Sequence, residues 1–136
     1  MFKILIVDDS HIYRRILTDT LHYKFPDVDI SEASDGVEAL HKITLFPPDL
    51  IFMDIRLPDE SGLELTRRIK TQYPSTTIII LTSYDLPEYR EAATHYKANH
   101  FLTKGLANRD QIVKLVESIL SGRDIVQNGL IPESPI

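Results

Sequence analysis

Five polar side chains stand where apolar runs of the chain stop. Asp8 and Asp9 follow "ILIV", Asp54 follows "LIFM", Thr82 closes "IIILT" and Lys104 follows "FLT". Carboxylates crowded together repel, and each tends to keep its proton unless a cation sits among them. A few hard oxygen donors suit a divalent ion such as Mg2+, which keeps several of its waters; Mn2+ is the other candidate. A metal and an ammonium together supply the charge neutralisation that a dianionic phosphoryl group needs. One carboxylate can then act as nucleophile and form an acyl phosphate. Asp54 is the best placed, because the Asp8–Asp9 pair can hold the metal beside it from a neighbouring strand.

Such a convergence needs a particular scaffold. Strand-length apolar segments at Phe2–Asp8, Val28–Ala33, Leu50–Asp54, Thr77–Thr82 and His100–Leu102 alternate with five helical patterns. The first, third and fourth are almost continuously aliphatic, as parallel strands covered on both faces should be. Ile12, Ile16 and Thr20 with Leu17 and Leu21 predict the inner face of the first helix. Tyr89, Ala92, Ala93 and Tyr96 predict that of the fourth, and Ile112, Leu115, Val116 and Ile119 that of the last. Asp35 with Glu38, Ser61 with Glu64, and Asn108 with Gln111 each resemble a capping box. Pro47-Pro48 and Pro74 close the second and third helices. Strict alternation with short loops implies a parallel sheet with right-handed crossovers, in a three-layer α/β domain. Ligands bind such sheets at the carboxyl ends of the strands, where the five polar residues fall.

The composition removes several other functions. At 136 residues the chain is one domain of ordinary size. Its formal charge of −5 argues against direct nucleic-acid binding, and the absence of cysteine excludes disulfides and thiolate metal sites. Without a signal-peptide pattern or a membrane-length apolar run, the expected location is the cytoplasm, with no membrane partner. After Leu120 the period lapses into "SGRDIVQNGLIPESPI". The expected organisation is therefore a domain over 1–121 and a tail or linker over 122–136.

Taken together, "VDDS", "MDIRLPDESG", "ILTS" and "FLTK" resemble the motifs of two-component response regulator receiver domains. The resemblance covers roughly residues 2–120. It implies a flavodoxin-like (βα)5 fold with strand order 2-1-3-4-5. It further implies that Asp54 accepts a phosphoryl group from the phosphohistidine of a sensor histidine kinase or phosphotransfer protein. By the same resemblance Asp9 ligates Mg2+ directly, Asp8 helps through water, and Asp54 and the backbone carbonyl of Arg56 complete the protein ligands. Lys104 pairs with Asp54 and then with a phosphoryl oxygen, Thr82 bonds another, and Phe101 occupies the rotameric switch position. The domain would catalyse its own phosphorylation and slow dephosphorylation, without a turnover substrate. The surface of the fourth helix, fifth strand and fifth helix would then change its partner affinity, with homodimerisation promoted by phosphorylation.

Departures from the pattern carry information too. Arg56 and Tyr84 stand two positions after Asp54 and Thr82, where the family tunes the phosphoryl lifetime. Large side chains there predict slow loss of the phosphoryl group. Gly105 follows Lys104 where many receivers have proline, so the Lys104–Gly105 bond is expected trans. With "MDIRLP" this junction is similar to receivers of the NarL/LuxR type, whose output is a DNA-binding domain. Lys97 stands where glycine is usual, which places an unusual demand on that turn.

Two other function classes fit less well. A haloacid dehalogenase-type phosphatase needs a second aspartate two residues after the first, where this chain has Arg56. An interaction module that is never phosphorylated could dispense with Asp8, Asp9, Asp54, Thr82 and Lys104, all of which are present.

Overall fold

The computed structural model describes residues 1–105 and 109–122. Five strands alternate with helices in chain order: β1 (Lys3–Val7), α1 (His11–Lys24), β2 (Asp29–Ala33), α2 (Gly36–Leu45), β3 (Leu50–Met53), α3 (Gly62–Gln72), β4 (Thr77–Thr82), α4 (Pro87–His95), β5 (His100–Thr103) and α5 (Arg109–Ser121). All strand pairings are parallel and the order across the sheet is β2-β1-β3-β4-β5, the flavodoxin-like arrangement. The sheet and α1–α4 lie in one compact unit, and α5 belongs to a second.

Residue type explains the layering. β3 is buried at every position and β4 at all but the first, which is why both read as unbroken aliphatic runs. β2, at an edge, alternates exposed and half-buried residues until Ala33. Leu5, Val7, Ile51, Met53, Ile78 and Ile80 line one sheet face and pack with Ile43 of α2, Leu65 and Ile69 of α3, and Ala93 of α4. Tyr89, Ala92 and Tyr96 join this cluster, as the period of α4 predicted. In α5 the buried positions are Ile112, Val116 and Ile119.

The inner face of α1 differs from expectation. Ile12 and Ile16 are exposed at 73% and 43%, while Leu17, Thr18 and Leu21 are buried. The helix is turned so that Arg14 lies on the inward stripe, and its guanidinium bonds the Asp8 carbonyl and the Glu32 carboxylate. A stripe that includes an arginine is not visible to a count of apolar residues.

The caps also differ in detail. Asp35 accepts from the Glu38 N–H, but the Glu38 carboxylate reaches back to the Ser34 N–H rather than to Asp35 itself. Ser61 caps α3 through the Leu63 N–H, and Glu64 pairs with Arg67 instead of closing a box. Asn108 and the tail from residue 123 onward lie outside the described residues. α4 ends in a Schellman motif: the Ala98 N–H donates to the Ala93 carbonyl and the Lys97 N–H to that of Thr94. This puts Lys97 in the left-handed region, at φ 73°, a conformation that favours glycine. The described residues contain no cis peptide bond, and no described helix is long and apolar enough to cross a membrane.

Candidate functional site

The strand ladders place the polar residues. Beyond β1 the Asp8 N–H still donates to the Ala33 carbonyl at 3.0 Å, and beyond β3 the Asp54 N–H donates to that of Val7 at 3.0 Å. Each aspartate is therefore held one step past its strand, on neighbouring strands. Lys104 is placed in the same way, by its N–H to the Thr82 carbonyl at 2.8 Å. The chain then turns sharply after Asp8. Ser10 caps α1, and the Asp8 carboxylate accepts the Ser10 N–H at 2.8 Å.

Asp8 and Asp54 are buried, at 3% and 6% exposure, and Asp9 is exposed. One carboxylate oxygen from each of the three lies within 4.8 Å of the others. Lys104 Nζ stands 2.6 Å from Asp8 Oδ2 and 3.1 Å from Asp54 Oδ2, and the other Asp54 oxygen accepts the Ile55 N–H at 2.7 Å.

Burial is the strongest influence on Asp8 and pushes its carboxyl above the usual range, with the bonds from Lys104 and the Ser10 N–H offsetting only part. Burial alone would lower the Lys104 ammonium, but the Asp8 and Asp54 carboxylates outweigh it and the net shift is upward. One ammonium thus contacts two of three clustered carboxylates. The donors are all hard oxygens close together at the strand ends, and this set fits a hard divalent cation.

The loop after Asp54 is tightly constrained. Gly62 donates to the Ile55 carbonyl at 2.7 Å, and a Cβ at Gly62 would collide with the Asp54 carbonyl oxygen. Only glycine lets α3 begin so close to the Asp54 backbone. Arg56 and Ser61 pair across the loop, and Asp59 accepts the Gly36 and Val37 N–H groups at the start of α2.

Thr82 is fully buried at the end of β4, where its hydroxyl accepts the Tyr84 N–H at 3.3 Å. The Arg56 guanidinium lies 4.1 Å from the Tyr84 ring centroid, joining the loop after β3 to the loop after β4. Phe101 is half-buried against the core cluster, with the Arg90 guanidinium 4.5 Å from its ring centroid. Arg90 in turn pairs with Asp85.

The structure thus gathers Asp8, Asp9, Asp54 and Lys104, sets Thr82 at the adjacent strand end and places Phe101 on β5, in register with Ile80 of β4. His95 lies on the surface against Tyr96, apart from the carboxylate cluster. Two residues of the site went unremarked in the sequence. Arg14 braces Asp8 through its carbonyl, and Tyr13 places its ring 4.3 Å from Lys104 Nζ. Their only sequence signal is position, within one or two turns of the aspartate pair.

Residues 4–117 match the response regulator receiver domain family. The chain belongs to that family. It is 32% identical over 129 residues to the DNA-binding transcriptional activator DevR/DosR of Mycobacterium tuberculosis, covering 94% of this chain and 58% of the relative. It is 33% identical to the oxygen regulatory protein NreC of Staphylococcus aureus, covering 94% and 59%. The receiver thus spans under two thirds of the length of these curated relatives. Among solved structures, a LuxR-family two-component response regulator from Aurantimonas superposes with a TM-score of 0.77 at 30% identity, covering 88% of this chain and 85% of that one.

Proposed function

We propose that this receiver takes a phosphoryl group from the phosphohistidine of a sensor histidine kinase or phosphotransfer protein onto Asp54. The observation that carries the reading is the buried Asp54 carboxylate, 3.1 Å from Lys104 Nζ and clustered with Asp8 and Asp9. An Asp54 carboxylate oxygen attacks phosphorus, the P–N bond to the donor imidazole breaks, and its electron pair stays on the imidazole nitrogen.

The protein's part is positioning and charge. Lys104 offsets the negative charge that would otherwise repel the incoming group, and then pairs with a phosphoryl oxygen. Thr82 turns its hydroxyl from accepting the Tyr84 N–H to donating to a phosphoryl oxygen. Asp8, Asp9, Asp54 and the Arg56 backbone carbonyl hold Mg2+, or Mn2+ in its place. When bound, that ion supplies further neutralisation of the transferring phosphoryl group.

The output is a shift between two populations of the domain. As Thr82 moves, Phe101 turns inward into the space vacated, and the surface of α4 and β5 changes its affinity for partners, including a second receiver. Arg56 and Tyr84, stacked over the two loops, shield the acyl phosphate from water and slow its loss. The relatives' names and the chain's share of their length support transcription control through an output domain, and the formal charge of −5 supports a receiver that makes no direct nucleic-acid contact.

Incubation with acetyl phosphate, with and without Mg2+, followed by intact-mass measurement, tests the reading. One phosphoryl adduct that requires both Mg2+ and Asp54 is expected. Full adduct formation by Asp54→Ala would overturn it.

A further inference from the structure

Lys104 is held from a third direction that the charge pattern does not require. Besides Asp8 and Asp54, its ammonium faces the ring of Tyr13, with Nζ 4.3 Å from the ring centroid. We propose that Tyr13 is a positioning residue for phosphoryl transfer, acting through Lys104 by its aromatic face. The proposal rests on the reading of Asp54 as acceptor and Lys104 as its counter-charge.

Three observations carry it. First, the start of α1 is tied to the site. The Tyr13 N–H donates to the Ser10 side chain in the N-cap at 3.2 Å, and the Ser10 N–H donates to Asp8 at 2.8 Å. The Tyr13 backbone is thereby anchored to the same turn that places the carboxylates. Second, Tyr13 is not among the residues that anchor α1, which are Leu17, Thr18 and Leu21. It is half-buried at the strand ends, beside a small void that it lines with Leu17, Phe52 and Leu81, and its ring also faces the ammonium. Third, the Lys104 side chain is only 14% exposed, so three partners rather than solvent define where it points.

The physical role follows from what the carboxylates must do. Asp8 cannot give all of its charge both to a cation and to Lys104. A lysine that loses one of two carboxylate partners recovers much of its rotamer freedom, which is large for a four-carbon side chain. An aromatic face attracts an ammonium through its quadrupole, yet carries no net charge to compete for the cation. Tyr13 therefore keeps the Lys104 ammonium at the mouth of the site while Asp8 is engaged elsewhere. The ring does this and the phenol hydroxyl does not, so phenylalanine should serve and leucine should not.

The test combines rates with a spectroscopic readout. Initial rates of phosphorylation by acetyl phosphate with Mg2+ are followed by intact mass for the wild type, Tyr13→Phe, Tyr13→Leu, Lys104→Ala and the Tyr13→Leu/Lys104→Ala double variant. Lys104 ε-methylene proton shifts are recorded by NMR on the protein without added metal. The expected result is a rate near wild type for Tyr13→Phe and a fall of roughly three- to ten-fold for Tyr13→Leu. No further fall is expected from Tyr13→Leu once Lys104 is alanine. The ε-methylene protons should show an upfield ring-current shift in the wild type and Tyr13→Phe that disappears in Tyr13→Leu. Equal rates for wild type and Tyr13→Leu, an equal loss in the phenylalanine variant, or a loss that persists without Lys104 would each overturn the proposal. A wild-type protein that takes no phosphoryl group at all would overturn the underlying reading and the proposal with it. The ring-current shift would then still report whether Tyr13 and Lys104 are in contact.

Discussion

Arg56 and Tyr84 form a bridge across the rim of the site, the guanidinium of one 4.1 Å from the ring centroid of the other. The first stands two residues after Asp54 and the second two after Thr82, so the pair spans the two loops that flank the acceptor. A contact of this kind at a partly exposed position is worth about 0.5–1 kcal/mol. Removing either partner should therefore shorten the phosphoryl lifetime by about two- to five-fold. Because the two act as one unit, Arg56→Ala with Tyr84→Ala should lose little more than either alone. Decay of the adduct after removal of the donor measures this, and additive losses would mean that the two side chains act separately.

In the cluster of Asp8, Asp9 and Asp54, Lys104 offsets only part of the negative charge. Asp8 is buried and its carboxyl is pushed up by that burial, so ionising it costs more in the folded protein than in the unfolded chain. In chelator-treated protein at neutral pH, Asp8→Asn should unfold at a higher temperature than wild type. Adding Mg2+ should reverse the order. A cation that binds only the folded state stabilises it by about 2.7 kcal/mol at a hundred times its Kd, and the variant should gain far less. Equal Mg2+-induced shifts in the two proteins would remove Asp8 from the metal site.

How much of this was legible beforehand follows from residue type. Asp8 and Asp54 are readable because each ends a run of buried aliphatics, and a polar group at such a boundary stands out; Lys104 follows a shorter, half-buried strand and is legible through its position at a strand end. The strand ends agree to within one residue. The facing of α1 was not readable. Ile12 and Ile16 suggested one stripe, but Arg14 takes an inward place by bonding Asp8 and Glu32. Tyr13 is not legible in the sequence, because a cation–π contact leaves no spacing motif. Its partner lies far away in the sequence.

Lys97 marks the opposite case, an oddity visible in the sequence whose meaning is conformational. Its φ of 73° lies where a side chain is strained by about 1–2 kcal/mol. Lys97→Gly should raise stability by about 1 kcal/mol, since the greater freedom of glycine in the unfolded chain offsets part of the relief. The shift in urea midpoint at unchanged slope measures it. A lower midpoint would mean that the Lys97 side chain makes a stabilising contact.

Glu38 gives the fold a defined acid sensitivity. Its carboxylate accepts the Ser34 N–H at 2.8 Å, and that bond, ahead of the Ser34 hydroxyl and Lys42, holds its carboxyl below the ordinary 4.5. A depressed folded value contributes stability above the unfolded titration and loses it as pH falls through the folded one. Glu38→Gln should thus be less stable than wild type at neutral pH, with the gap closing in acid. Urea midpoints across that range test the sign. A gap that is constant or widens in acid would contradict it.

The most direct test concerns Asp54 itself. The protein is phosphorylated with acetyl phosphate and Mg2+, reduced with borohydride to convert the acyl phosphate into homoserine, digested and mapped by peptide mass. The expected result is homoserine at position 54 alone, and none when Mg2+ is chelated. Homoserine at Asp8 or Asp9 instead, or modification that persists unchanged in Asp54→Ala, would contradict Asp54 as the acceptor.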